Sequence, residues 1–195
     1  MLAQIILASA SPRRRELLDQ IGVQYKVCPV DIDEIPFAYE QPAAYVQRVA
    51  AEKSAAGAED AAKLPVLAAD TAVVLESHIM GKPENLQDAK WMLSQLSGKT
   101  HQVFTAVSLR GKFHQQVLNV TDVTFRTLTE REIERYWQTG EPFDKAGSYA
   151  IQGFGAIFVK SIKGSFSGVV GLPVFETAKI IANEGIKIFE PKNLS

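Results

Sequence analysis

Apolar and polar positions along this chain switch repeatedly between a period of two and a period near 3.6, and the switches predict an ordered series of elements. A short apolar run, Ile5-Ile6-Leu7-Ala8, reads as a buried strand. Glu16-Leu17-Leu18-Asp19-Gln20-Ile21-Gly22 follows as an amphipathic helical turn or two, with Ser11 at the N-cap and Pro12 at the first helical position, where its missing N–H is no loss. Residues 23–27 alternate as a second strand, and Pro42 opens a helix that runs through Lys53. Residues 66–75 read as a buried central strand, followed by a hairpin through Glu76-Ser77-His78. Asn85 caps a helix with Leu86, Ala89, Trp91, Met92 and Leu96 on its apolar face, stopped by Gly98. Two long strand-like runs, 100–109 and 113–125, join through Arg110-Gly111-Lys112 as a hairpin. Thr129-Glu130-Arg131-Glu132 is a capping box that opens a helix to Gln138. Residues 158–162 return to strand, residues 168–173 lead into a final helix with Val174, Ala178 and Ile181, and Ile186-Lys187-Ile188-Phe189 reads as a closing strand. Strands and helices interleave while the middle hairpin must be antiparallel, so the expected class is α/β with a mixed sheet flanked by helices.

The polar residues that break these patterns are the ones with chemistry to offer. Asp70 sits in the middle of the central apolar strand, where an unpaired carboxylate would cost several kcal/mol, so it calls for a cation, a metal or several donors beside it. Lys53 falls on the inward stripe of Val46, Val49 and Ala50, either snorkelling at the core edge or aimed into a cleft. Arg13, Arg14 and Arg15 crowd the first turn of a helix, where cations oppose the helix dipole and repel one another. A polyanionic ligand would remove that conflict, because guanidinium groups clamp phosphate oxygens in a bidentate way; solvated surface arginines are the alternative. Asp31-Ile32-Asp33-Glu34 is a carboxylate-rich loop, and Gly81-Lys82-Pro83 holds Lys82 between a flexible and a stiff residue. Residues 141–155, with Gly147, Gly153, Gly155 and the amide of Gln152, are long for a connector and read as a binding loop.

Bulk properties narrow the classes. The 195 residues suffice for one domain or two small lobes, and 46% hydrophobic with 22% charged residues is an ordinary globular composition. A net charge of −1 argues against a general nucleic-acid binder. The one cysteine, Cys28, cannot form an internal disulfide and points to a reducing compartment. The first ten residues end in a small-x-small pattern resembling a signal cleavage site but lack a basic region, and no run approaches membrane-spanning length. A cytoplasmic protein, with no membrane partner, is expected. His78, His101 and His114 lack ligand spacing, so a zinc site is not expected.

Ser9, Arg13, Arg14, Glu34, Lys53, Asp70, Lys82 and Gln152 together give four cations and two carboxylates, a set that suits a triphosphate with a divalent metal. The chain has neither G-x-x-x-x-G-K-[ST] nor G-x-G-x-x-G. Neither Cys28 nor the serines have a convincing base in the sequence, which leaves metal-assisted hydrolysis by water as the simplest chemistry.

Ser9-Ala10-Ser11-Pro12-Arg13-Arg14, Ala69-Asp70-Thr71, Gly81-Lys82-Pro83, Asp144-Lys145-Ala146-Gly147, Ile151-Gln152-Gly153 and Val169-Val170-Gly171-Leu172-Pro173 resemble, in order and over nearly the whole chain, the Maf family of nucleotide pyrophosphatases. The resemblance implies a single domain over 1–195 with a fold similar to the inosine-triphosphate pyrophosphatases: an elongated mixed sheet, two lobes and a central cleft. It implies hydrolysis of a nucleoside triphosphate to the monophosphate and pyrophosphate with a divalent cation, magnesium or manganese. By position, Asp70 matches the family's catalytic acid, taken as the base that activates water; Glu34 and Asp70 would approach the metal. Arg13, Arg14, Lys53 and Lys82 would hold phosphates, with Ser9 beside them. Thr71 and Gln152 resemble the branch acting on dTTP and UTP, whereas the 7-methyl-GTP branch differs at both positions. Phe166-Ser167-Gly168-Val169 departs from the pattern, since relatives often carry asparagine or alanine before the two valines. The implied partner is the nucleotide, with a homodimer as a further expectation. A non-catalytic nucleotide-binding regulator of cell division is the rival from another class.

Overall fold

A computed structural model of the chain describes residues 2–58 and 64–188. Its strands are β1 (Ile5–Leu7), β2 (Tyr25–Val27), β3 (Val66–Leu75), β4 (His78–Met80), β5 (Thr100–Arg110), β6 (His114–Phe125) and β7 (Val159–Lys163). The helices are α1 (Pro12–Gln20), α2 (Pro42–Ala58), α3 (Leu86–Leu96), α4 (Glu130–Gln138), α5 (Phe166–Val170) and α6 (Val174–Asn183). The strands form one sheet in the order β2-β1-β3-β5-β6-β7, with β4 paired to β3 off that path. β1 runs parallel to both β2 and β3, whereas β3–β4 and β6–β7 are antiparallel. The sheet is therefore mixed, as the interleaved pattern predicts. No helix among the described residues is long and apolar enough to cross a membrane.

Local chemistry explains most of the boundaries. Asn85 accepts from the N–H groups of Gln87 and Asp88 at the start of α3, and the Thr129–Glu132 capping box is complete at α4. Glu76 and Ser77 adopt φ of 51° and 70°, the left-handed pair that a tight β3–β4 hairpin requires. Ser11 occupies the N-cap of α1 but makes no side-chain cap; its own N–H donates to Ser9 Oγ at 3.2 Å. The second strand is shorter than the alternation predicts, because Val23 is buried outside the ladder and its N–H closes a turn onto Leu18 O. Residues 186–188 do not form the expected closing strand, and Phe189 lies outside the described residues.

The chain packs as two compact units. Among the described residues, one comprises 2–58, 64–70, Thr105–Leu118 and 171–188; the other comprises Thr71–Phe104 and Asn119–Val170. In the first, Ile5, Leu7, Leu18, Val46, Val49, Leu67, Leu109 and Ile181 are fully buried. Helix α2 buries the stripe Val46, Val49, Ala50, Lys53, Ser54 and Gly57. A Cβ on Gly57 would stand 2.9 Å from Val66 Cγ1 and 3.0 Å from Ala8 Cβ, so only glycine lets the helix backbone lie this close to β1 and β3. Lys53, one turn earlier on the same face, is thereby pressed toward β3.

The second unit has an aromatic core. Phe125 meets His101, Tyr149 and Phe158 edge-on at centroid distances of 4.9, 4.8 and 6.0 Å, and Tyr136 meets Phe158 at 4.9 Å. His101 Nε2 is 2.8 Å from the Tyr149 hydroxyl. Burial pushes the His101 pKa down to about 4, so the ring stays neutral and packs as a core residue.

Candidate active site

Asp70 and Lys53 are buried together, 5% and 8% exposed. Lys53 Nζ lies 3.0 Å from Asp70 Oδ1 and 2.9 Å from Glu34 Oε1, so one ammonium bridges both carboxylates. The partner that a mid-strand aspartate demands is thus a helical lysine, delivered by the close approach at Gly57. Burial raises the Asp70 pKa above its ordinary value, while the charges of Lys53 and Arg14 pull against that rise. Asp70 Oδ2 is also buried and has no hydrogen-bond partner among the described residues.

Glu34 is exposed on its loop, but the loop is held. Arg48 on α2 grips Glu40 with two bonds of 2.7 and 2.8 Å, donates to Ile35 O at 3.2 Å, and stacks over Phe37 at 4.0 Å. The hydrogen bonds from Arg48 hold the Glu40 carboxyl below its usual range. Arg48 is a clamp for the segment that carries Glu34, and sequence spacing alone gives no signal for it.

The arginine-bearing first turn of α1 belongs to the same unit. Arg14 Nη1 donates to Ser9 Oγ at 3.0 Å and Arg14 Nε to Gly171 O at 2.9 Å. Burial lowers the Arg14 pKa, the charge of Asp70 opposes the fall, and Arg13 adds to it. Two bonds to fixed acceptors set the plane of this guanidinium. Ser9, Arg14, Glu34, Lys53 and Asp70 are accordingly linked by direct bonds or charges, with Arg13 adjacent in sequence.

Thr71, Lys82 and Gln152 lie in the other unit. Alternation along β3 turns Thr71 to the face opposite Asp70. Lys82 is exposed on the turn after β4, and that turn is pinned: Gly81 O accepts from Gly147 N at 3.0 Å. A Cβ on Gly147 would stand 2.7 Å from Val73, so this glycine packs directly on β3. The Asp144-Lys145-Ala146-Gly147 run thus supports the lysine turn. Gln152 is exposed on the loop that follows.

Residues 4–184 match the profile of a family described as Maf-like protein. The chain belongs to this family. A relative from Methylococcus capsulatus named dTTP/UTP pyrophosphatase is 52% identical over 94% of this chain and 92% of its own length. One of the same name from Pseudoalteromonas atlantica is 53% identical over 91% of this chain and 95% of its own length. A solved structure from Staphylococcus aureus, described as the Ham1 protein, aligns over 62% of this chain and 71% of that one, with a TM-score of 0.45 and 16% identity.

The carboxylates of this Maf-like chain offer hard oxygen donors to a divalent cation. The unpartnered Asp70 Oδ2 and the nearby Glu34 are of the type that magnesium or manganese takes. Among the described residues, no group of three or more histidine, cysteine, aspartate or glutamate side chains is placed to hold a metal alone. A cation here would complete its shell from phosphate oxygens and water, which is the usual habit of magnesium.

Proposed function

We propose that this chain hydrolyses dTTP and UTP to the nucleoside monophosphate and pyrophosphate, with water attacking the α-phosphorus. The observation that carries the reading is Asp70: buried, tied to Lys53 through one oxygen, with its other oxygen unpartnered among the described residues. An acceptor of that kind can take a proton from a water molecule, and the cations of Lys53 and Arg14 help keep it ionised. In this reading Ser9, Arg13, Arg14, Lys53 and Lys82 hold the phosphates. The bonds that fix Arg14 orient its guanidinium before the substrate arrives, so less freedom is lost on binding. Glu34 and Asp70 would hold a divalent cation, which when bound supplies Lewis-acid polarisation of the phosphoryl oxygens. Thr71 and Gln152 are assigned to nucleotide choice. The lone Cys28, a free thiol, supports a reducing, cytoplasmic setting.

A nucleotide panel tests this reading. The purified protein should turn over dTTP and UTP faster than CTP, GTP and 7-methyl-GTP. A chelator should stop the reaction, and added magnesium or manganese should restore it. UDP and orthophosphate as products, preference for 7-methyl-GTP, or binding without turnover would each reject it.

A further inference from the structure

Gln152 sits near the tip of a tight turn, and that turn is clamped at both ends by two side chains that nothing in the sequence pattern singles out. Tyr136, on α4 and buried, donates its hydroxyl to Glu141 Oε1 at 2.6 Å. The same hydroxyl accepts the N–H of Ala150 at 3.0 Å, two residues before Gln152. Glu141 accepts the N–H of Gly155 through Oε1 at 3.0 Å and that of Phe154 through Oε2 at 2.8 Å, immediately beyond it. Both ends of the turn are therefore tied to one Tyr–Glu pair. A Cβ on Gly153 would collide with the Glu141 carboxylate, so the glycine after Gln152 exists to let the backbone close over this anion.

The electrostatics agree with an ionised clamp. Burial works to raise the Glu141 pKa, but the hydrogen bonds from Tyr136, Gly155 and Phe154, with the charge of Lys145, outweigh it and hold the carboxyl below its ordinary value. Burial and the Glu141 carboxylate together raise the Tyr136 hydroxyl, which stays protonated as a donor. Apolar packing does little for the far end of the turn, where Phe154 is 66% exposed. The ring of Tyr136 is fixed independently, edge-on against Phe158. Beside the turn's own Gly153 N–H to Ala150 O bond of 3.3 Å, three backbone N–H groups thus converge on two side chains that are bonded to each other.

We propose that Glu141 and Tyr136 are positioning residues for nucleotide choice, holding the backbone on both sides of Gln152 so that its amide meets the pyrimidine edge in one orientation. This rests on the reading of Gln152 as the residue that faces the base. The role assigned to them requires contact with neither the nucleotide nor the reacting phosphate. Loosening the clamp should cost recognition of the base without altering the chemistry at phosphorus, which separates it from a general loss of structure.

The test is a comparison of Glu141→Gln, Tyr136→Phe and Gln152→Ala, alone and combined, with kcat and KM for UTP and GTP and the thermal midpoint of each variant. Glu141→Gln keeps the volume but replaces an acceptor oxygen with a donor facing backbone N–H; Tyr136→Phe keeps the ring on Phe158 and removes only the hydroxyl. Each should lower kcat/KM for UTP by ~10-fold, chiefly through KM, since displacement of a positioned group by about 1 Å can cost up to ~100-fold. GTP, a poor substrate in this reading, should change less than about twofold. In the Gln152→Ala background neither substitution should lower UTP turnover further. Equal losses for UTP and GTP, or losses that persist without Gln152, would overturn the proposal. Should Glu141→Gln fail to fold, Tyr136→Phe carries the same comparison. A Gln152→Ala variant with an unchanged UTP-to-GTP ratio would reject the base-facing reading and this proposal with it. A changed ratio there, beside clamp variants that behave as wild type, would reject the clamp alone.

Discussion

Asp70→Asn should lower UTP turnover at least ~100-fold, the lower end of what a general base contributes, while the thermal midpoint at neutral pH stays level or rises. Asparagine preserves volume and can still accept from Lys53, but it cannot take a proton from water. The stability half follows from the sign of the pKa shift. Burial raises the folded-state pKa of Asp70 above that of the unfolded chain. The stability this contributes is present below the unfolded value of about 3.9 and is lost as pH rises through the folded pKa. Once the carboxyl is ionised, the protein holds that buried charge against its own stability, a common cost of a reactive site. Lys53 does not become an orphaned charge in the variant, because Glu34 remains 2.9 Å away. Steady-state assays and melts between pH 5 and 8 check both halves. Retained turnover would make Asp70 structural, and a markedly lower melting point would show the Lys53–Asp70 pair to be net stabilising.

Gln152→Glu should cut kcat/KM for UTP and dTTP by at least ~100-fold while GTP falls far less. Uracil and thymine present an O4 acceptor, an N3–H donor and an O2 acceptor. An amide donates to a carbonyl and accepts from N3–H at once, so both its ends are used. A carboxylate offers acceptors alone and faces O4 with a lone pair, leaving polar atoms unpaired once the base excludes water. Guanine presents two donors, N1–H and N2–H₂, and suffers less from the change. CTP, whose N3 accepts and N4 donates, should be a weak substrate of the wild-type protein for the same reason. Kinetics on the nucleotide panel decide it, and an equal loss on every nucleotide would show that Gln152 does not read the base.

The fold was legible wherever local chemistry acts within a few residues. Thr129 and Asn85 cap their helices as their spacing predicts, and the β3–β4 and β5–β6 hairpins fall at their turn residues. Asp70 was legible for a different reason: an anion amid a buried apolar run demands a counter-charge. That Lys53 supplies it was not legible, because its inward helical stripe fits snorkelling at the core edge as well as a cleft. What the sequence hid were arrangements decided by tertiary contact. Ser11 carries a capping residue's signature, yet the hydroxyl that accepts its N–H belongs to Ser9, which also binds Arg14. The apolar alternation of residues 186–188 does not become a strand, while the five-residue α5 lies where only a glycine-rich approach to α6 was expected. Gly57 looks like a weak helix residue until β1 and β3 are seen beneath it. Tyr136 and Glu141 meet residues 14 positions further along, a distance at which no periodic signal links them.

Hydrolysis of UTP in water enriched in oxygen-18 reports which phosphorus the water attacks. Attack at the α-phosphorus, with pyrophosphate as the leaving group, should place one label in UMP and none in the pyrophosphate. Label in pyrophosphate would put the attack at the β-phosphorus, and label in orthophosphate beside UDP would put it at the γ-phosphorus. Either result would contradict the placement of Asp70 as the base for a water at the α-position.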